Sequence, residues 1–157
     1  TLTERFDYCF HQGEGSLYPA ILNDNRIATP YAPIAISGEG GDIVATPFRQ
    51  IHGNIDSLGF RVGGVAYSSD ISELPDESFA AVQNLDCWIV DALRRDPHPT
   101  HFHLDKTLAR IEELKPKRAI LTNLHIDLDY ETLCKELPEN VIPAFDGMTL
   151  NRMGIAV

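Results

Sequence analysis

The sequence predicts an α/β fold in which a mixed sheet is layered against helices. Three observations lead there. Short apolar stretches divided by glycine-containing turns fill the first half, and from Pro75 onward strand-like and helix-like segments alternate. Leu104, Leu108, Ile111 and Leu114 then recur at helical steps, giving one apolar stripe.

The elements follow in order. "RFDYCF" starts without a cap or an obvious first strand, and reads as the entry into a domain partway through. "PIAIS", "DIVATPFRQIH", "LGFRV" and "GVAYSS" read as antiparallel strands, joined by turns such as "GEGGD" and "HGNIDS". "PDESFAAVQ" reads as a short helix with proline near its start, and "LDCWIV" as a fully buried strand. The apolar stripe belongs to a helix whose other face carries Lys106, Arg110, Glu112 and Glu113. "RAILTN" is a strand, "DYETLCKEL" a helix stopped by Pro138, and "VIPAF" and "MTLNRMGIAV" are closing strands around "DGM".

A chain of 157 residues with 43% hydrophobic content can bury one core, so one domain or part of one is expected. No run approaches the roughly 18 to 20 apolar residues of a membrane helix, and the first residues lack the pattern of a signal peptide. A soluble, cytoplasmic protein is expected. The formal charge of −10 argues against broad contact with nucleic acid. Cys9, Cys87 and Cys134 are too scattered for a disulfide framework or a zinc ribbon, and each reads as a small buried hydrophobe.

Function in such folds concentrates where loops leave the strands. His52 ends "FRQIH", Asp70 ends "GVAYSSD", and His125 follows "AILTN" after one leucine. Two histidines and a carboxylate held on rigid strand ends suit a divalent transition metal. Each also fits a plain loop role, Asp70 as a cap included, and spacing leaves both readings open. "HPTHFH", residues 98–103, is equally open between a metal tract and a polar loop. Arg94 and Arg95 could clamp a phosphate or stay solvated.

Taken in order, "FRQIHG", "GVAYSSDISELP", "LDCWIVDALR", "HPTHFHLDKTL", "RAILTNLHIDLDY" and "VIPAFDGMTL" resemble the C-terminal half of metallo-β-lactamase-fold hydrolases. The nearest branch is similar to the phosphoribosyl cyclic phosphate phosphodiesterases. The resemblance implies an αββα sandwich, of which residues 1–157 form the C-terminal part, with two divalent metal ions, zinc or manganese, at one edge. It implies that His52 is a ligand of one metal, Asp70 the carboxylate bridging both, and His125 a ligand of the other. His103 matches the histidine that acts on the phosphate or leaving oxygen, and Asp70 shares in catalysis through the metals. The interval from His103 to His125 leaves room for one helix and one strand, which agrees. His101 and His98 are left to contact substrate or to stay structural.

The implied function is hydrolysis of a small phosphodiester, a cyclic phosphodiester or cyclic nucleotide, through a metal-bound hydroxide. The alternative is a non-catalytic binding or accessory protein on the same scaffold. The family's H-x-H-x-D-H signature is absent from this sequence, so the fragment alone is expected to be inactive. Asn123 also stands where relatives often carry a histidine. Membrane association is not expected, and a homodimer is left open.

Overall fold

The computed structural model describes residues 1–27 and 30–151. Seven strands form one mixed sheet in sequence order: β1 (Ile34–Gly38), β2 (Gly41–His52), β3 (Ile55–Val62), β4 (Val65–Ser68), β5 (Cys87–Asp91), β6 (Arg118–Thr122) and β7 (Val141–Pro143). The first four pair antiparallel as hairpins, and β4 through β7 pair parallel. Parallel neighbours need long crossovers. These contain a 3₁₀ turn at Asp76–Val82, helix α3 (Leu104–Leu114) and helix α4 (Tyr130–Glu136).

Most of the expected elements are present, with three departures. The chain opens on two single-turn helices, α1 (Leu2–Arg5) and α2 (Asp7–Phe10), and Thr1 caps the first through a capping box with Glu4. The T-x-x-E spacing was the available signal. The "HGNIDS" turn is shorter than expected, because β3 resumes at Ile55 after only Gly53 and Asn54. Of the closing strand expected over 148–157, residues 152–157 lie outside the described set, and Leu150 alone forms a bridge.

Burial follows the sheet. Phe48 on β2, Trp88 on β5, and Ile71 and Phe102 in the loops are fully buried and join the same core as Leu104 and Ile111 of α3. Each such side chain contributes roughly 2–3 kcal/mol through removal from water. Trp88 also donates its indole hydrogen to Ser68 at 2.9 Å, which satisfies both polar groups where β4 meets β5. The cysteines are free; only Cys87 is buried, while Cys134 is exposed, so the expectation that all three are core residues is corrected.

The polar face of α3 does more than meet solvent. Lys106 and Arg110, one turn apart, both donate to Glu73 at 2.7 Å, and Lys106 also reaches the Ser72 carbonyl. They tie the helix to the loop just beyond Asp70. Burial would raise the Glu73 pKa, but the hydrogen bonds and charges of Lys106 and Arg110 outweigh it and hold it below the ordinary 4.5. A lowered carboxylate pKa stabilises the fold above that value and ceases to do so as pH falls through the lowered one. Glu73→Gln should therefore cost about 0.5–1 kcal/mol near neutrality, a small figure because the pair is partly solvated. Thermal unfolding of the two proteins should differ near neutral pH, and the difference should shrink as pH falls below 4.5 and through the lowered pKa.

Candidate metal centre

Topology explains why distant residues meet. β2 and β4 are each antiparallel to β3, so they run the same way, and β5 and β6 continue in that direction. The C-terminal ends of β2, β4, β5 and β6 therefore lie along one edge. His52 closes β2, Asp70 follows β4, Asp91 closes β5 and Asn123 follows β6. The loop carrying residues 98–103 leaves from the same edge.

His52, Asp70 and His101 each offer one donor atom, and these atoms all lie within 4.8 Å of one another. Among the described residues this is the one group of three or more such side chains. The imidazoles of His52 and His101 meet edge to face at 4.7 Å between ring centres, and His98 follows at 5.1 Å from His101.

Each histidine is fixed from behind. His52 Nδ1 lies 2.7 Å from the Thr100 carbonyl. A carbonyl can only accept, so Nδ1 carries the hydrogen and Nε2 keeps its lone pair. His101 Nδ1 lies 2.7 Å from Asp91 Oδ2, and the Asp91 side chain is fully buried. Such support of a ring nitrogen is what metal-ligating and proton-carrying histidines require. His98 differs, since its Nδ1 accepts from the Thr100 amide at 3.3 Å, leaving Nε2–H to donate. Partial burial and then the charge of Arg94 lower the His98 pKa from its ordinary 6.5.

Asp70 is presented by strained backbone. Its φ is +52°, a left-handed conformation that costs a non-glycine residue roughly 1 kcal/mol. The turn is pinned by Ser57, which donates to the Asp70 carbonyl at 2.7 Å, and by Gln50, which donates to that of Ser69 at 2.9 Å. The carboxylate itself stays 59% exposed, with one oxygen 3.8 Å from His101 Nδ1.

Gly53 seats the first histidine. Its φ is +66°, and a Cβ there would lie 2.5 Å from Thr100 Cγ2, beside the carbonyl that orients His52. Gly53→Ala should destabilise the protein by roughly 1–3 kcal/mol from strain and displacement together. Denaturant unfolding with an unchanged midpoint would contradict that packing.

The other candidates lie apart. His125 is half exposed and pairs with Asp127 at 3.0 Å within its own loop. His103 is the N-cap residue of α3, and its imidazole has no hydrogen-bond partner among the described residues. Arg94 donates to the carbonyls of Asp96 and Pro97, bracing its own loop, and Arg95 pairs with Glu136. The structure thus brings His52 and Asp70 together with His101, and neither His103 nor His125 joins them. Asn123 does approach. The interval of 22 residues that relates His103 to His125 also separates His101 from Asn123, whose amide nitrogen is 3.4 Å from His101 Nδ1. Asn123 also has a left-handed φ of +60° and lines a cavity of about 500 Å³ that reaches Phe145 and Asp146.

Asp91 is a further functional residue at this edge, beyond the strand-end candidates His52, Asp70 and His125. A carboxylate closing the buried run "CWIV" was the signal for it, because such a group must be held by donors or stay neutral. Burial raises its pKa, and the bonds from His101, Ile71 and Asn123 oppose that rise.

Comparison with known proteins agrees with this architecture. The family described as the Beta-lactamase superfamily domain matches residues 1–126. A solved diphosphatase of the PhnP family is 31% identical with a TM-score of 0.78, over 96% of this chain and 53% of that one. The metallo-beta-lactamase fold protein YhfI from Bacillus subtilis is 18% identical with a TM-score of 0.64, over 90% of this chain and 58% of that one. An octanoyltransferase from Porphyromonas gingivalis is 26% identical over 110 residues, which are 68% of this chain and 22% of that protein. The chain spans about half the length of these solved relatives and less of the curated one. A matching family over most of the sequence and a mixed sheet with its donors on one edge lead to the same assignment: the chain belongs to the beta-lactamase superfamily and has the metallo-β-lactamase fold of hydrolases that include the PhnP family.

Proposed function

We propose that the protein is a metal-dependent phosphodiesterase acting on a small phosphodiester, a cyclic phosphodiester or cyclic nucleotide. The observation that carries the reading is the convergence of His52, Asp70 and His101 from three separate segments to within 4.8 Å. The 31% identity to a PhnP-family diphosphatase supports phosphate ester chemistry over other hydrolyses.

The donor set fits divalent cations. His52 presents an unprotonated Nε2, and Asp70 presents a solvated carboxylate with two oxygens, enough to serve two ions. His52 and Asp70 would hold zinc or manganese together with ligands of the H-x-H-x-D-H type, which these 157 residues do not contain. When bound, the ions supply Lewis acidity toward the phosphoryl oxygens. The chain's own residues do the rest. The Asp70 carboxylate would offset the repulsion between two cations held at the site. His101 carries a proton at Nε2 toward the leaving oxygen, a role in which Asp91 offsets the charge of the protonated ring. His98 offers its Nε2–H to an anionic substrate. The cavity beside Asn123 has room for the remainder of a small ester.

The test is hydrolysis of bis-p-nitrophenyl phosphate and of cyclic nucleotides by the full-length protein, with metal content measured in parallel. Metal-dependent turnover that a chelator abolishes supports the proposal. A protein loaded with metal that binds these esters without cleaving them is the accessory protein of the alternative reading.

A further inference from the structure

We propose that Gln50 is a positioning residue for the metal centre: its buried amide, directly and through Ser57, holds both peptide planes beside Asp70 and so sets the direction in which that carboxylate is presented. The inference rests on the reading of Asp70 as a metal ligand, and it adds an uncharged group that lies outside the donor set.

Gln50 occupies a place where an apolar residue is expected. Alternation along β2 puts Phe48, Gln50 and His52 on one face, and both Phe48 and Gln50 are fully buried. Gln50 Nε2 donates to the Ser69 carbonyl at 2.9 Å and to the Ser57 hydroxyl at 3.2 Å, and that hydroxyl donates to the Asp70 carbonyl at 2.7 Å. The first carbonyl belongs to the peptide before the Asp70 Cα and the second to the peptide after it. Fixing both planes fixes φ and ψ of Asp70, and with them the Cα–Cβ direction. Here φ is +52°, a conformation that persists only where the surroundings hold it. Ser57 is the cross-strand partner of Gln50, so both donors share one hairpin with His52. The placement of Asp70 relative to His52 is therefore built into that hairpin, without help from a cation.

The same amide leaves its oxygen without a partner. Gln50 Oε1 is buried, and no hydrogen bond reaches it among the described residues. A Cβ added to Gly59 would lie 2.5 Å from that oxygen and would also strike the Phe48 ring, so amide and ring together fill the space a side chain at 59 would take. A buried acceptor left unmade costs free energy, and an apolar side chain of the same size would not incur that cost. Turning the amide over does not help, because the oxygen would then face the Ser69 carbonyl, acceptor against acceptor. Stability alone does not select glutamine here. What the amide supplies, and an apolar isostere lacks, is the pair of hydrogens that hold the Asp70 turn. The carbonyls it would release belong to Ser69, which is partly exposed, and Asp70, which is exposed, so water can bond them in its place.

Gln50→Met in the full-length protein separates fold from positioning. Methionine keeps the length and much the same volume, while both donors and the unpaired oxygen are removed. Without metal, the denaturant midpoint is expected to match that of the unaltered protein or exceed it. The backbone carbon shifts of Asp70, which report φ, should move away from left-handed values. Zinc affinity, measured by competition with a chromophoric chelator, should fall roughly 10–100-fold, the range for a lost partner behind a metal ligand. Ser57→Ala should lower affinity in the same range, Ser57→Thr should retain it, and the double variant Gln50→Met with Ser57→Ala should lose little more than either alone. Unchanged zinc affinity in a folded Gln50→Met overturns the proposal. So does a midpoint that falls in step with affinity, since the amide would then serve the fold alone. Should Gln50→Met not fold, Ser57→Ala decides: a loss of affinity that Ser57→Thr does not share supports the proposal, and an unchanged affinity overturns it. If the unaltered full-length protein binds no zinc, the reading of the metal centre fails, whereas Asp70 shifts that stay left-handed in Gln50→Met overturn the positioning role whether or not metal binds.

Discussion

Replacing Asp70 by asparagine is expected to remove bound metal and lower phosphodiester turnover by roughly 10³-fold, equivalent to several kcal/mol of lost transition-state stabilisation. Asparagine is the sharper choice over alanine. At φ +52° alanine adds backbone strain, whereas asparagine tolerates the left-handed region and preserves the size of the side chain. The bond from Ser57 goes to the backbone carbonyl and survives the change. Only the negative charge is lost. On the proposed two-metal reading that charge would offset repulsion between the cations, so the loss should appear in binding before it appears in catalysis. Two measurements check this. Elemental analysis of the purified variant should show metal lost relative to the unaltered protein. Thermal unfolding supplies the second, because a ligand at about 100 times its Kd stabilises the native state by about 2.7 kcal/mol, and that increment should vanish in the variant. Full metal occupancy in a folded Asp70→Asn would remove Asp70 from the centre.

The sheet was legible because its strands carry their own signals. "RAILT" and "CWIVD" are buried apolar runs of strand length, and the stripe of α3 repeats at helical spacing. What remained hidden depends on contacts between segments. The hairpin after His52 is shorter than its composition suggests because Gly53 adopts φ +66° and lets the chain reverse within two residues. The strand-end residues His52 and Asp70 could be read as site candidates, since rigid strands determine their direction. The loop histidines could not. Three imidazoles within "HPTHFH" are equivalent in sequence, and the one that faces the edge is selected by a carboxylate ten residues earlier that is itself buried. The interval of 22 residues fits two pairs, His103 with His125 and His101 with Asn123, and only the second pair meets at Asp91.

That ambiguity gives the second large effect. His101→Ala should lower turnover by roughly 10²–10⁴-fold, the range for lost general acid–base catalysis, while much of the metal is retained. His103→Ala should stay within a few-fold of the unaltered protein, because no hydrogen bond joins its ring to the group among the described residues and its side chain makes no capping bond to α3. His125→Ala should behave like His103→Ala, since its partner is Asp127 in its own loop. The three variants separate competing geometries by rate and by metal content together. A large loss of turnover in His103→Ala with normal metal would restore the proton to the residue that sequence matching selects. Loss of metal in His125→Ala would require that loop to move toward Asp70 when cations bind. Loss of metal in His101→Ala would make its Nε2 a ligand, and Asp91 would then position a metal-binding imidazole instead of a proton carrier. The physical basis for expecting the first pattern is the bond behind His101, since a carboxylate fully removed from water holds the ring in one direction. Neither His103 nor His125 has such a partner among the described residues, and without one an imidazole at the surface has no fixed direction in which to deliver a proton.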